Sequence, residues 1–476
     1  MAIVMKFGGT SVADAAALDN VARIVASQHD NSPVVVVSAM SGVTDSLLEG
    51  TRIATERNAA EAAKALSETF RRHHHAAQQL LPSDGHFNED LDRAAVRLSQ
   101  LLQKMASDLN NRRATQDAIV SFGEMLSSAL LAEVLKHRGV NAQQVDPRRC
   151  ILTNDEHTCA APLLNETFAK TRQTLAPLIE DKVIPVVGGF VGATADGATT
   201  TLGRGGSDYT AALLGAALRV DEIQIWTDVS GVLTADPRVV PDAQTVERMS
   251  YGEAAELAYF GAKVLHPKTI QPAIEDRIPV RICNSRAAEE PGTLVGPQSE
   301  TSPRTIKAIA HKVGVTTVQI SSARMLGAYG FLRALFEVFD RHRTVVDVVT
   351  TSEVSVSLSL DDDSALPAIV SELEKLGTVR VEKDRAIICV VGEGLRGTPG
   401  IAARVFSTIS DINVTLISQG ASSINFTFAI EETRVEEAVR RLHEAFFSRT
   451  ESQGTPETTG VSFPGTAGVS PARLRT

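Results

Sequence analysis

The chain has 476 residues, of which 43% are hydrophobic and 22% charged, a balance typical of globular domains. This length exceeds one typical hydrophobic core, so we expect two or three domains. The net charge of -10, with both signs interspersed, disfavours a nucleic-acid-binding protein, because such proteins cluster Lys and Arg on one face.

The first 295 residues alternate short apolar runs with longer helical patterns. Several runs are apolar nearly throughout, as expected for strands covered by helices on both faces. This alternation predicts a largely parallel α/β domain over residues 1–295. The predicted strands are Ile3–Phe7, Val34–Ser38, Val183–Gly188, Glu222–Thr227 and Val280–Cys283. The predicted helices are Ala15–Gln28, Ser46–Ala77, Asn88–Asn110, Asp117–His137, Ala160–Glu180, Asp208–Leu218 and Tyr251–Phe260.

A linker and an internal repeat follow this domain. Residues Glu289–Thr305 are rich in Pro, Gly, Ser and Thr, which predicts a linker. Beyond it, Gly327–Gly330 recurs as Gly397–Gly400, a spacing of 70 residues. Each repeat unit shows the order strand–helix–strand–strand–helix–strand, the ferredoxin-like α+β pattern.

We assign the two units to residues 313–384 and 385–447. The second unit has no clear final strand of its own. An extra strand candidate at Ile306–Ala310, within the connecting residues 296–312, would supply it and interleave the units. Residues 448–476 are rich in Gly, Thr and Pro and are predicted to be disordered.

The cysteines and the N-terminus indicate the compartment. The four cysteines are scattered without a CxxC pair, which suits a reducing environment and disfavours disulfides or a zinc site. Met1–Lys6 lacks the pattern of a secretory signal, and no run of 18 apolar residues occurs. We therefore expect a cytoplasmic protein with neither a membrane nor a nucleic acid as partner.

The first chemical motif is Lys6-Phe7-Gly8-Gly9, directly after the opening strand and before a helix. Glycines let the backbone approach a ligand closely, and amide groups at a helix start bind anions. The lysine adds a point charge for phosphate oxygens. The Walker A pattern GxxxxGK[ST] is absent. Taken alone, this motif fits a phosphate site and an ordinary turn with a surface lysine equally well.

The second motif, Gly203-Arg204-Gly205-Gly206-Ser207-Asp208, also precedes a helix. Its glycines form a loop able to wrap a small anion, and the guanidinium suits bidentate binding of a carboxylate. This combination favours a functional loop over a flexible surface turn. Asp208 has the alternative role of helix N-cap, and both roles are compatible.

A third motif runs from Trp226 to Arg238, beginning where a strand ends in Thr227-Asp228. Open α/β sheets bind ligands at the carboxyl ends of their strands. Taken alone, however, the stretch is more typical of a connection with two turns.

Several single residues are further candidates. Ser38 and Thr44 follow a buried strand and share its edge. Glu124 opens a helical run, where the helix dipole alone would favour a carboxylate. Lys263 is either a second phosphate cation or a solvated side chain. The triplet His73–His75 lacks a second ligand cluster, so a solvated face is favoured and no metal ligands are assigned.

Together these stretches resemble the aspartokinases of the amino acid kinase family, especially the monofunctional, lysine-sensitive type. The likeness covers essentially the whole chain up to the tail and continues through Val346–Leu360. It implies a three-layer α/β/α kinase domain followed by two ferredoxin-like ACT domains. The motifs in family order are Lys6–Ser11, Ser121–Glu124, Thr199–Asp208, Trp226–Asp228, Asp236–Arg238 and Phe260–Pro267.

The resemblance implies the reaction ATP + L-aspartate → 4-phospho-L-aspartate + ADP with Mg²⁺, the first step towards lysine, threonine and methionine. Lys6 and Asp208 are the implied catalytic residues, with Asp208 organising the lysine. At Leu233 the family often carries an aromatic residue, so stacking on the nucleotide is lost there. The implied nucleotide-binding residues are Lys6, Phe7, Gly8, Gly9, Thr227, Asp228, Leu233, Arg238, Lys263 and Val264.

For the substrate, the resemblance implies that Glu124 holds the α-ammonium of aspartate and Arg204 its α-carboxylate. This division suits the chemistry, because the reacting carboxylate is already a nucleophile and needs alignment and charge neutralisation rather than a strong base. The implied substrate-binding residues are Ser38, Thr44, Glu124, Arg204, Gly205, Gly206 and Ser207.

The repeat resembles tandem ACT modules, which bind amino acids at paired interfaces and imply a homodimer. Asp347 or Glu353 is the implied partner of an effector ammonium group, and lysine is the favoured effector. Leu326–Gly330 departs from the usual pattern, with Gly327 and Ala328 in place of polar residues. A purely dimerising module is the alternative. The implied effector residues are Met325, Gly330, Phe331, Leu332, Asp347, Ser352 and Glu353.

Two other functions stay open from the sequence. A kinase for glutamate, a carbamate or another small carboxylate would share the phosphate loops but lack the pairing of Glu124 with Gly203–Asp208. A non-catalytic amino-acid sensor would be free to lose Lys6, Arg204 and Asp208, which are all present.

Overall fold

The computed structural model describes residues 2–56, 58–81, 87–261, 265, 267–297, 305–327, 329–420 and 422–448. The predicted tail therefore lies outside the described residues except for Ser448. The strands are β1 Ile3–Phe7, β2 Pro33–Val37, β3 Ala142–Val145, β4 Ile184–Gly188, β5 Val191–Ala193, β6 Thr199–Thr201, β7 Glu222–Thr227, β8 Arg248–Ser250, β9 Val280–Asn284, β10 Thr293–Gly296, β11 Ala308–Ser321, β12 Val349–Thr351, β13 Ser355–Leu360, β14 Thr378–Val391, β15 Leu416–Gln419 and β16 Asn425–Glu431.

The helices lie between these strands. They are α1 Ala15–Ser27, α2 Val43–Thr55, α3 Ala59–Leu80, α4 Phe87–Ser107, α5 Arg112–Val120, α6 Phe122–His137, α7 Leu164–Glu180, α8 Gly206–Leu218, α9 Tyr251–Tyr259, α10 Gln271–Glu275, α11 Phe331–Arg341, α12 Leu366–Leu373, α13 Ile401–Thr408 and α14 Val435–Phe447.

The N-terminal half is built on an eight-stranded sheet in the order β3-β4-β2-β1-β7-β9-β10-β8. Strands β3, β4, β2, β1, β7 and β9 run parallel, and β10 joins β9 antiparallel. Successive side chains of a strand point to opposite faces. Met5 and Val35 accordingly enter one hydrophobic core, formed with α1–α6, while Val4 and Val34 enter a second core, formed with α7–α10. The arrangement is the expected three-layer α/β/α domain.

The five predicted strands are confirmed to within one residue at each end. Two predicted helices are each divided in the structure, and the predicted helix Ala160–Glu180 begins only at Leu164. Ser46–Ala77 is two helices, because α2 ends at Thr55 and the side chain of Asn58 caps a new helix by accepting from Glu61 N at 3.2 Å. Asp117–His137 likewise divides at Ser121 into α5 and α6. Strands β3, β5, β6, β8 and β10 were missed, since runs of three or four residues show too little periodicity.

The helical layer contains a long apolar stretch and a buried histidine. The α5–α6 stretch is long and apolar enough to cross a membrane, but 72% of its apolar window is buried in the domain, as in a core helix. The interpretation of His73–His75 as a solvated face was wrong for His73, whose ring is buried and bonded through Nδ1 to Thr69 O at 2.8 Å. Burial lowers the pKa of His73 to about 4, so the ring is neutral.

The C-terminal half is one antiparallel six-stranded sheet in the order β12-β13-β11-β14-β16-β15. The long strand β11 serves both repeat units: its Thr316–Ser321 part pairs with β13, while Ala308–Lys312 pairs with Ile387–Val391 of β14. Gly314, at φ +71°, marks the irregularity between the two parts. The extra strand candidate Ile306–Ala310 thus falls at the start of β11.

The two repeat units have separate hydrophobic cores. Leu335 of α11 and Ile369 of α12 fill the first, whereas Val405 of α13 and Leu442 of α14 fill the second. The second core also contains Ala235, Val239 and Val240, which belong to the kinase half of the chain. The segment that follows β7 is therefore packed into the second repeat unit.

A buried ion pair joins the two halves of the protein. Lys307 Nζ, just before β11, lies 2.9 Å from Glu253 Oε2 in the first turn of α9, and both side chains are almost fully buried. Glu253 also completes a capping box with Ser250. Removing one member of a buried pair leaves an uncompensated charge in a low-dielectric interior.

We expect Lys307→Met to lower the free energy of unfolding by about 3 kcal/mol, because Glu253 loses its cation. Urea denaturation followed by the fluorescence of Trp226 measures this. The matched control is Lys136→Met, which breaks an exposed pair with Glu133 and should cost less than about 1 kcal/mol. Equal effects of the two variants would contradict the prediction.

Candidate active site and effector region

A cavity of about 620 Å³ opens at the carboxyl edge of the large sheet. The ends of β1 and β2, the start of α6 and the loop before α8 contribute to its wall. All seven residues expected to bind substrate line it. The predicted site residues that line it are Lys6, Gly9, Ser38, Thr44, Glu124, Arg204, Gly205, Gly206, Ser207 and Asp208.

The central contact of the cavity is an ion pair between Lys6 and Asp208. Lys6 Nζ lies 2.6 Å from Asp208 Oδ1, and the two side chains are 12% and 20% exposed. The alternative that Asp208 is the N-cap of α8 is wrong, because Gly205 occupies that position and Asp208 lies in the first helical turn. The carboxylate is therefore free to contact the lysine, and the cation is held at the cavity wall.

Two glycines are required by the backbone at this edge. Gly205 has φ +73°, a conformation that side chains with a Cβ rarely adopt. At Gly9, a Cβ would lie only 2.9 Å from Ala39 O. The backbones after β1 and β2 thus approach each other closely, and Ser41 N donates to Gly9 O at 3.1 Å.

Glu124 is the buried carboxylate of the cavity, with 3% of the residue exposed. Its Oε1 accepts from Ala39 N at 3.2 Å, while Oε2 has no hydrogen-bond partner among the described residues. Burial raises the pKa of Glu124 to about 8, although the Ala39 amide and the Lys6 charge oppose that rise. An unpartnered buried carboxylate oxygen beside a cavity suits a cationic ligand.

The residues expected to contact the nucleotide flank this cavity. Gly8 N donates to Trp226 O at 3.1 Å, which brings the first motif against the end of β7, where Thr227 and Asp228 follow. Phe7 is fully buried and stacks on Trp226 with ring centroids 5.8 Å apart, so its side chain faces the core.

The remaining nucleotide candidates lie farther along the chain. Leu233 is half-buried and forms an isolated bridge with Thr245. The Arg238 side chain is 88% exposed and pairs with Asp236 at 2.6 Å, which lowers the pKa of the Asp236 carboxyl. Lys263 and Val264 lie outside the described residues.

Several residues that line the cavity had no predicted role, among them Asp117, Thr158, Phe190 and Thr201. Asp117 is almost completely buried. The sequence did carry one signal for Asp117, because it places a carboxylate at an inward-facing helix position four residues before the Ser121–Glu124 motif. Phe190 has a left-handed φ of +67°, a backbone conformation that its sequence context does not predict.

In the regulatory half, Asp347 is the most constrained of the expected effector residues. Its side chain is 3% exposed, accepts a hydrogen bond from Tyr259 Oη and lies 3.8 Å from Lys312 Nζ. Burial, reinforced by the neighbouring Asp361, raises the pKa of Asp347 to about 7. Tyr259 ends α9, so this carboxylate contacts the kinase domain directly.

The other expected effector residues surround two turns. Met325 lies in a short turn after β11, and Gly330, at φ +82°, is the N-cap of α11. Phe331 packs against the first repeat core, while Leu332 is 42% exposed. Between β12 and β13, Ser352 bonds to Ser355 through both backbone and hydroxyl groups and the neighbouring Glu353 is exposed.

The fold and this cavity define a small-molecule kinase of the three-layer α/β/α class with regulatory modules. Residues 1–284 match the model of the amino acid kinase family, and residues 388–446 match the model of an ACT domain.

Similarity to known proteins identifies the family within this class of kinases. The chain is 40% identical to aspartokinase 3, chloroplastic, of Arabidopsis thaliana over 93% of this chain and 81% of the relative. The E. coli aspartokinase III structure with aspartate and ADP (R-state) has a TM-score of 0.77, and that with lysine and aspartate (T-state) 0.79. Both are 36% identical, covering 94% of this chain and 100% of theirs. The chain belongs to the aspartokinases, which transfer a phosphoryl group to the side-chain carboxylate of aspartate.

The raised pKa of Glu124 predicts a pH-dependent stability of the ligand-free protein. Between pH 4.5, its ordinary pKa, and about pH 8 the folded state holds a proton that the unfolded chain has released. Stability from this group is therefore fully present below pH 4.5 and falls as pH rises towards 8. We expect Glu124→Gln to remove this fall.

Thermal unfolding measured at pH 5 and pH 8.5 tests the expectation. Glu124→Gln should raise the midpoint relative to wild type more at pH 8.5 than at pH 5. Glu133→Gln, an exposed change on the same helix, should produce no such difference. A Glu124→Gln gain that is equal at the two pH values would contradict the assignment.

Proposed function

We propose that the cavity binds aspartate between Glu124 and Arg204 and presents its side-chain carboxylate to ATP beside Lys6. The observation that carries this proposal is that one cavity brings together Lys6, Glu124 and the arginine loop, which is the segment Gly203–Asp208 before and at the start of α8. The two charged ends of an amino acid then have opposite partners, an anionic glutamate and a cationic guanidinium.

Alignment is the main catalytic contribution in this proposal. Aspartate's carboxylate is already a nucleophile, so the protein must orient it and offset charge on the transferring phosphoryl group. Lys6, held by Asp208, supplies a fixed positive charge at that point. Ser38, Thr44 and Ser207 would orient the substrate through hydrogen bonds.

ATP would lie along the flank formed by Gly8, Gly9, Thr227 and Asp228, with Lys263 as a second phosphate cation. A side chain at Gly9 would collide with the Ala39 backbone, so the glycine permits the close approach of the two loops that form this flank. Mg²⁺ would neutralise phosphate charge when bound. The described residues contain no group of three metal-ligating side chains, which suits an ion bound mainly through phosphates.

We also propose feedback inhibition by lysine through the ACT domains of a cytoplasmic homodimer. Asp347, with Glu353 nearby in sequence, offers the carboxylate for an effector ammonium group. The contact of Asp347 with Tyr259 gives effector binding a direct route to the kinase domain. The E. coli relative whose structure contains lysine and aspartate supports lysine as the effector.

The activity is tested by ADP release from purified protein with MgATP and each candidate acceptor. Aspartate should support turnover, and glutamate should not. Release with glutamate alone would favour the neighbouring class of amino acid kinase, and release with neither would overturn the proposal.

Arg204→Lys should raise KM for aspartate roughly 30-fold, since a bidentate charged hydrogen bond contributes about 2 kcal/mol. KM for MgATP should stay within about twofold, because the nucleotide is proposed to lie elsewhere. Steady-state kinetics with each substrate varied provide the measurement.

The control is Arg219→Lys at the opposite end of α8, where the arginine is exposed. It should leave both KM values unchanged. If Arg204→Lys instead raised KM for MgATP and spared aspartate, the guanidinium would belong to the nucleotide.

Asp347→Asn should raise the lysine concentration for half-inhibition at least tenfold, because an amide cannot balance the effector ammonium. Since the pKa of Asp347 is about 7, wild-type inhibition should also strengthen between pH 6.5 and 8, as the carboxylate ionises. Inhibition curves for lysine, threonine and methionine, each normalised to uninhibited activity, measure both effects.

The matched control is Asp340→Asn, an exposed change on α11. It should preserve the lysine response. Absence of any response to the three amino acids in wild type would leave the ACT domains a dimerising role and overturn the regulatory proposal.

A further inference from the structure

Asp117 is a buried carboxylate at the cavity wall that has no role in the site described above. It lies in α5 and is 1% exposed. Oδ1 accepts from Thr201 Oγ1 at 2.6 Å, and both carboxylate oxygens accept from Thr158 N, at 3.1 and 3.0 Å. Oδ2 lies 2.8 Å from His157 Nδ1. One side chain thus joins α5, the loop before α7 and strand β6.

The loop residue held by this carboxylate has a strained backbone. Thr158 has φ +76°, a left-handed conformation that is unfavourable for a β-branched residue. Such a conformation persists only where surrounding contacts determine it. The paired hydrogen bonds from Thr158 N to Asp117 are the polar contacts that hold this peptide unit.

The turn at Thr158 packs against the start of the arginine loop. Ala160 N donates to Thr201 O at 2.9 Å, which continues the loop alongside β6. A Cβ built on Gly203 would lie 3.2 Å from Cys159 Sγ, so the residue after Thr158 packs against the residue before Arg204. A change in the Thr158 turn would therefore displace the start of the arginine loop.

Asp117 is also connected to the other end of the substrate site. Its backbone carbonyl accepts from Ser121 N at 3.0 Å, at the junction where α5 ends and α6 begins. Glu124 lies in the first turn of α6. The residue is thus linked to both charged groups that we propose as ligands of the amino-acid substrate.

We propose that Asp117 is a positioning residue that sets the orientation of Arg204, and hence the affinity for aspartate, by holding Thr158 in its left-handed conformation. The proposal rests on the proposed role of Arg204 as the carboxylate ligand. Burial raises the pKa of the Asp117 carboxyl, and the hydrogen bonds from Thr201, Thr158 and His157 oppose that rise.

The primary test is Asp117→Asn, which keeps the side-chain volume but loses the charge and one acceptor oxygen. KM for aspartate should rise roughly tenfold, as expected when hydrogen bonds to a charged group are lost. KM for MgATP should stay within about twofold. A general structural defect would instead reduce kcat and raise both KM values together.

The double variant Asp117→Asn with Thr158→Gly separates positioning from folding. Glycine adopts φ +76° without strain, so the turn no longer depends on the carboxylate. The double variant should recover most of the aspartate affinity lost in Asp117→Asn, and its KM should match that of Thr158→Gly alone, which is the reference for loss of the Thr158 side chain from the cavity wall. Failure of the glycine to restore KM would overturn the proposal.

Thr201→Val covers the case in which Asp117→Asn does not fold, because it removes one donor and leaves the carboxylate in place. We expect a rise of roughly threefold in KM for aspartate alone. An unchanged KM would overturn the positioning role. If Arg204→Lys leaves KM for aspartate unchanged while Asp117→Asn raises it, the role of Arg204 fails and Asp117 acts through another substrate contact.

Discussion

The geometry of the catalytic half depends on one ion pair. It joins Lys6, near the end of β1, to Asp208 in the first turn of α8. An ammonium group at the carboxyl edge of a parallel sheet is mobile unless a fixed anion holds it. Asp208 reaches the lysine because left-handed glycine at Gly205 starts the helix without a side-chain cap. The same loop carries Arg204, so in the proposed site both the neutralisation of phosphate charge and the recognition of aspartate would depend on one short backbone segment.

The regulatory half is attached to both ends of helix α9. Glu253 near its start is paired with Lys307, and Tyr259 at its end donates to Asp347. A separate contact joins Thr234 Oγ1 to His443 Nε2 of α14 at 2.8 Å, beside the apolar residues that enter the second repeat core. The segment after β7 and the effector region are therefore parts of one packed assembly, which provides a physical basis for coupling between them.

Two buried carboxylates at the cavity, Glu124 and Asp117, differ in their hydrogen-bond partners. Among the described residues Glu124 Oε2 has no hydrogen-bond partner, and burial raises the pKa of this carboxyl, so a cationic ligand would stabilise its ionised form. Asp117 is surrounded by donors and is satisfied within the protein. Both residues are buried carboxylates, so chemical type and burial do not distinguish them. Their hydrogen-bond partners do, and the sequence does not reveal those partners.

The sequence by itself determined the parallel α/β domain, the tandem repeat and the glycine-rich loops at the cavity wall. Strands buried on both faces are apolar throughout, and anion-binding loops carry glycines beside a cation, so these features are local patterns. Tertiary structure alone decided that the extra strand candidate continues as one long strand, β11, paired within both repeat units, that Asp208 reaches Lys6 from the first turn of α8 rather than from its N-cap, and that Asp117 joins three segments. These contacts connect residues far apart in the chain, and periodicity carries no information about which distant partner a polar group meets.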